Sequence, residues 1–184
     1  MDRHMIKVMR LFFVLFLSFS IAGVDLYSSS ISSSNEKPLY TIYIFVSESC
    51  PICQQITLNW KELMARYSSD SVQFVMIFPN NRESTKESIE NFKEKYNLHC
   101  ESVVDKGQKW TRKFKASITP EVILWDNQRN SILYRGKLDN QYETLGKKRS
   151  VVTEKYVADA LENVLYGTKS IPANTEPIGC FIIK

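Results

Sequence analysis

The spacing of apolar positions changes period along the chain. Leu39 to Val46 is an almost unbroken apolar run, too short for a core helix, and is predicted as a buried strand. Ile56, Leu58, Trp60, Leu63, Met64 and Tyr67 then recur at helical spacing, which predicts a helix over Pro51–Tyr67. Val72–Phe78 (VQFVMIF) reads as a second strand and is followed by a polar turn, Pro79–Arg82. Ser84–Tyr96 is predicted helical, with Ile89, Phe92 and Tyr96 on one face. Ser102–Val104 is a short strand, and Gln108–Phe114 a short helix carrying Trp110 and Phe114. Glu121–Trp125 and Ile132–Arg135 flank the turn residues Asp126 to Asn130 and form a hairpin. Val151–Leu165 is the last predicted helix, with Val152, Tyr156, Ala160, Leu161 and Val164 at core spacing. Strands alternating with helices, finished by a hairpin and a helix, predict a three-layer α/β domain with a mixed central sheet.

The N-terminus breaks this pattern. Arg3, Lys7 and Arg10 precede an apolar stretch, Leu11 to Ser18, that fades before Asp25, and Ser20-Ile21-Ala22 offers a cleavage site after Ala22. The stretch is short of the roughly 20 residues that span a bilayer, so residues 1–22 are expected to be a secretory signal peptide. Left uncleaved, the segment would instead tether the chain to a membrane. Residues 23–37 form a Ser-rich linker, 38–166 the folded domain and 167–184 a tail with Pro172, Pro177 and Gly179. Export predicts a periplasmic or extracellular location, where thiols meet oxidising conditions. Removing residues 1–22 takes away three basic residues and Asp2, so the formal charge falls from +4 to +2. That balance is too weak to point to nucleic acid.

Candidate chemistry lies at the junction of the first strand and first helix, in Cys50-Pro51-Ile52-Cys53. A strand that delivers Cys-x-x-Cys to a helix start is a thiol–disulfide site by default. An ordinary thiol, with a pKa of about 8.5, is about 3% thiolate at neutral pH; lowering the pKa to about 7 makes it about half. Unpaired N–H groups at a helix start favour that ionisation. Cys50, at the start, is therefore the expected attacking thiol, and Cys53, one turn in, the resolving thiol. A structural disulfide or half of a zinc site are the alternatives.

Three stretches carry a resemblance to the thioredoxin-like superfamily: Ser49 to Cys53 after the first strand, Ile118-Thr119-Pro120-Glu121-Val122 before the hairpin, and Tyr134-Arg135-Gly136-Lys137-Leu138-Asp139 within it. With the inserted helix and strand at 84–104, residues 38–166 resemble the exported redoxin branch, near the thioredoxin-like reductases and the AhpC/TSA peroxiredoxins. The ending Glu176-Pro177-Ile178-Gly179-Cys180 is also similar to redoxin-domain proteins that finish in Gly-Cys. The resemblance implies a thiol–disulfide oxidoreductase that needs no organic cofactor. It would exchange electrons with protein thiols or disulfides and with a redox partner protein. It further implies a cis Thr119–Pro120 bond facing the cysteines, with Thr119 and Pro120 positioning a substrate chain. The match has departures. Thioredoxin's Trp before the first Cys and its buried acid six residues upstream are here Ser49 and Ile44, with Glu48 the nearest carboxylate in sequence. The Pro that peroxiredoxins place ahead of their reactive Cys is here Tyr43, which disfavours a peroxidase.

Cys100 and Cys180 remain. In an exported chain they are expected as a structural disulfide, as free thiols, or as an auxiliary redox relay in which Cys180 resolves Cys50 or docks a partner. By residue type alone, Cys50, Cys53, His99 and Cys100 also make up a zinc set, and a metal-binding or metallochaperone module is the non-enzymatic rival. Neither a phosphate-binding Gly loop nor a Ser-nucleophile motif occurs.

Overall fold

A computed structural model describes residues 37–80, 82–168 and 172–183. The predicted signal segment, and all of the linker except Lys37, lie outside the described residues. The elements run β1 (Tyr40–Phe45), α1 (Pro51–Gln55), α2 (Thr57–Tyr67), β2 (Val72–Phe78), α3 (Lys86–Tyr96), β3 (Glu101–Val104), a 3₁₀ turn (Lys106–Gln108) and α4 (Lys109–Phe114). Next come β4 (Ile118–Thr119), β5 (Glu121–Asp126), β6 (Ser131–Gly136), β7 (Tyr142–Thr144), β8 (Lys147–Lys148), α5 (Tyr156–Tyr166) and β9 (Cys180–Phe181).

The central sheet has the order β3-β2-β1-β5-β6. β1 runs parallel to β2, and β2 to β3, while β1–β5 and β5–β6 are antiparallel. β1 lies mid-sheet and is covered on both faces, which is why it reads as a continuous apolar run rather than an alternating one. Ile42, Ile44 and Val46 face a core built by α1, α2, α3 and α5, centred on Trp60, Met64, Phe92 and Leu161. Tyr43 and Phe45 face the other layer, where α4 supplies Phe114, flanked by Trp110, Trp125 and Ile182. This is the mixed three-layer α/β architecture. Truncating a fully buried aromatic such as Phe45 to Ala would cost about 3–5 kcal/mol.

Three predicted boundaries change. The helix expected over 51–67 is two helices with a break at Ile56 (φ −97°, ψ 5°). The Thr57 hydroxyl donates to the Gln54 carbonyl at 2.9 Å, a local bond that competes with helix continuation. The last helix starts at Tyr156, not Val151. The N–H groups of Thr153 and Glu154 are spent on Asn140 Oδ1, at 3.0 and 3.2 Å, which holds this stretch against the 138–141 loop. Finally, residues 172–183 do not trail from the domain: they fold back onto it, with Ile182 buried and Cys180–Phe181 paired antiparallel to Ile118–Thr119. The compact unit runs from Glu36 to Lys184.

Candidate redox site

β1 ends in a tight turn, with the Cys50 N–H on the Ser47 carbonyl at 3.2 Å. Pro51 follows as the first helical residue, where its missing N–H costs nothing and where it keeps Cys50 extended (φ −78°, ψ 114°). Cys50 is thus the N-cap of α1, and Cys53 lies within the first turn. From the other side, β4 brings Thr119, and the Thr119–Pro120 peptide bond is cis. Cys50 Sγ lies 3.3 Å from the Thr119 carbonyl oxygen, to which the protonated thiol donates. The structure therefore brings Cys50, Cys53, Thr119 and Pro120 together.

The thiols are strongly inequivalent. Cys50 is held well below the ordinary thiol range, at about 5. The largest cause is a hydrogen bond from the Cys53 thiol; burial opposes it, and Cys180 and the Cys53 backbone N–H add further donors. The helix start thus contributes through one N–H and ranks behind the neighbouring thiol. Cys53 is raised well above the ordinary range, first by burial and then by Cys50. Both sulfurs are enclosed, Cys50 at 1% exposure and Cys53 at 0%. All four cysteines are free thiols.

The two outlying cysteines separate. Cys180 sits opposite Thr119 in the β4–β9 pair and within hydrogen-bonding reach of Cys50. Cys100 precedes β3, beside Lys93 and the Met76 backbone. Three strand spacings, about 14 Å, separate β3 from β5, which β4 leads into, whereas a disulfide needs Cα atoms within about 7 Å. No Cys100–Cys180 bond joins them here. The zinc set fails for the same reason: His99 bonds Asn97 Oδ1 at 2.7 Å on an exposed turn, away from Cys50. Among the described residues no three His, Cys, Asp or Glu side chains are grouped to hold a metal ion.

Ile44, at the position of thioredoxin's buried acid, is enclosed in the core. Glu48 is neither a proton acceptor for Cys53 nor a free loop residue. Its carboxylate takes the hydroxyls of Ser84 and Ser88 at 2.6 and 2.7 Å, tying the turn to the start of α3. Side chains that sequence reasoning passed over also line the site. Tyr142 donates to Gln55 Oε1 at 2.5 Å, and its hydroxyl pKa is raised by burial and by the Cys50 charge. Asp139, whose carboxyl is pushed up by burial, borders a recess of about 20 Å³ with Ile52, Ile56, Pro120, Tyr142 and Ile178. Asp139 and Ile178 stood in recognisable stretches; Tyr142 carried no local signal.

The Redoxin family model matches residues 16–154. The chain belongs to the Redoxin family. Among solved structures, this family member is similar to a hypothetical protein from Sinorhizobium meliloti, at 23% identity and TM-score 0.69, over 79% of this chain and 80% of that one. It is also similar to an uncharacterized conserved protein from Geobacillus kaustophilus, at 25% identity and TM-score 0.67, over 78% and 76%. A thioredoxin-like protein from Aeropyrum pernix matches at 18% identity and TM-score 0.50, over 73% and 80%. Curated proteins gave no match. These likenesses show a thioredoxin-like fold, in a Redoxin chain that places Cys50 and Cys53 at the end of its central strand.

Proposed function

We propose that this Redoxin chain is an exported thiol–disulfide oxidoreductase that exchanges electrons with protein cysteines through Cys50 and Cys53. The observation that carries the reading is the split between the two thiols, Cys50 lowered to about 5 by Cys53 and Cys53 held protonated beside it. At neutral pH that makes Cys50 the nucleophile. Its thiolate attacks one sulfur of a partner disulfide, a mixed disulfide forms, and the partner's other sulfur leaves as a thiolate. Cys50 is then uncharged, which removes one of the causes that keep Cys53 protonated. Cys53 attacks the Cys50 sulfur, the Cys50–Cys53 disulfide closes, and the partner is released with two added electrons. The reverse sequence oxidises a partner dithiol. Thr119 and Pro120 position the partner's chain, and a second redox protein returns the site to its starting state. No organic cofactor takes part. The basic start and apolar run of residues 1–22 support export of the domain that follows.

The test is a trap. Cys53→Ser, expressed with its N-terminal segment, is expected to accumulate mixed disulfides with other proteins that vanish in Cys50→Ser/Cys53→Ser. Absence of any Cys50-dependent adduct overturns the reading. Sequencing the N-terminus of the mature protein checks cleavage after Ala22.

A further inference from the structure

The C-terminal segment is fastened on both sides of the thiols. On one side the Thr175 hydroxyl bonds the Tyr134 hydroxyl at 2.6 Å and accepts the Lys137 N–H at 2.9 Å, while the Thr175 N–H reaches the Arg135 carbonyl at 3.0 Å. Gly136 makes room for it: its φ is +132°, and a β-carbon there would lie 2.1 Å from the Thr175 carbonyl oxygen. On the other side the Ile182 N–H bonds the Ser117 carbonyl at 2.9 Å, and the Ile183 N–H bonds Asn80 Oδ1 at 3.1 Å. Between these anchors the chain passes directly over β4. Gly179 presses on Thr119–Pro120 so closely that a β-carbon would lie 2.0 Å from the Thr119 carbonyl oxygen. Ile178 lines the recess beside Pro120, Ile52 and Tyr142. Cys180 then pairs with Thr119, whose hydroxyl donates to the Cys180 carbonyl at 3.4 Å.

This is the placement that an extended partner chain needs in order to present a sulfur to Cys50: paired along β4, beside the Cys50 sulfur. The protein's own segment holds that place, and its residue opposite Thr119 is a cysteine. An attacking thiol must be reachable, yet Cys50 is 1% exposed.

We propose that Cys180 is a third redox thiol of this site, forming a disulfide with Cys50 that locks the C-terminal strand over the edge of β4. The inference deepens the proposed function and rests on Cys50 and Cys53 being an exchange pair. The step is balanced within the chain. In the oxidised protein the Cys180 thiolate attacks Cys50 Sγ; the Cys50–Cys180 bond forms, the Cys50–Cys53 bond breaks, and Cys53 leaves as a thiolate that takes the proton Cys180 gave up. No electrons are gained or lost. Attack of Cys53 on Cys50 runs the step backwards and frees the strand. Starting from the reduced chain, closure of Cys50–Cys180 releases two electrons, which pass to the partner disulfide. The oxidised site thus alternates between an open form, Cys50–Cys53, and a self-capped form, Cys50–Cys180.

The test uses the full chain, reduced, treated with stoichiometric diamide, alkylated and mapped by peptide mass spectrometry. Cys53→Ser and Cys53→Ala keep three thiols, and each is expected to lose two of them, yielding a Cys50–Cys180 crosslinked peptide with Cys100 still alkylated. Wild type is expected to yield both Cys50–Cys53 and Cys50–Cys180 peptides. Two variants at Cys53 guard against one failing to fold. The proposal is overturned if Cys180 stays alkylated in both, or links to Cys100. Cys180→Ser separates the two readings. If it closes Cys50–Cys53 while the Cys53 variants close nothing, the exchange pair stands and Cys180 has no part. If it also fails to close, the exchange pair itself falls.

Discussion

Cys100 and Cys180 are the same group at two different addresses. Both are half-buried, and burial is the first cause of a raised pKa in each, to about 11 for Cys100 and about 12 for Cys180. The second cause separates them. For Cys100 it is the Lys93 ammonium, which pulls the value down; for Cys180 it is Cys50, which pushes it up. One thiol stands just before an edge strand, beside Lys93, the other in register with Thr119, whose carbonyl oxygen lies 3.3 Å from Cys50 Sγ. Burial, which both share, says little about chemistry. Strand register places Cys180, and not Cys100, beside another sulfur.

Substitutions and titrations would break or sharpen that contrast. Cys50→Ser should reduce exchange with a protein disulfide to the uncatalysed level, read as the rate of substrate reduction. Loss of the same magnitude in Cys100→Ala would erase the distinction. Titration comes next. Thiolate absorbance should report Cys50 ionising near pH 5. With its folded pKa depressed, Cys50 contributes stability to the reduced protein that is fully present above the ordinary thiol pKa and is lost as pH falls toward 5. Cys180 has the opposite sign: its contribution is present below the ordinary thiol pKa and is lost as pH rises toward 12. Urea midpoints of wild type against Cys50→Ala and Cys180→Ala, across this range, should diverge in opposite directions. Gly179→Ala should cost about 1–3 kcal/mol of unfolding free energy by forcing the last strand off Thr119, and should speed alkylation of Cys180 but not of Cys100. The smallest effect belongs to Cys100→Ala, about 1 kcal/mol in thermal unfolding, with the Cys50 titration unmoved.

What was legible in the sequence followed from period and from local chemistry. β1, β2, β5 and β6 are long enough to show an apolar pattern, and each lies within a residue or two of its predicted span. Cys50-Pro51-Ile52-Cys53 was readable because its geometry is set by neighbours in sequence. The break at Ile56 was not, since a Thr hydroxyl bonding back three residues leaves the apolar spacing intact. The late start of α5 was hidden because Val151 and Val152 fit the helical stripe, yet the backbone beside them is bound by Asn140, thirteen residues upstream of Thr153. The β4–β9 pair had no signal at all. Strands of two residues have no period, and their partners here are separated by 61 positions. Gly179-Cys180 stood out as a motif, but only the fold gave it a location.

Phe45, Phe114 and Ile182 share the cluster that Trp110 and Trp125 pack against, whereas Trp60 is fully enclosed on the opposite face of the sheet. Ile182 directly follows the strand that covers the thiols. The covering segment thus meets both clusters, with Ile178 and Cys180 against the one that holds Trp60 and Ile182 within the one that Trp110 and Trp125 pack against. Unseating it is therefore expected to change tryptophan emission, a change that stopped flow on the native chain would read.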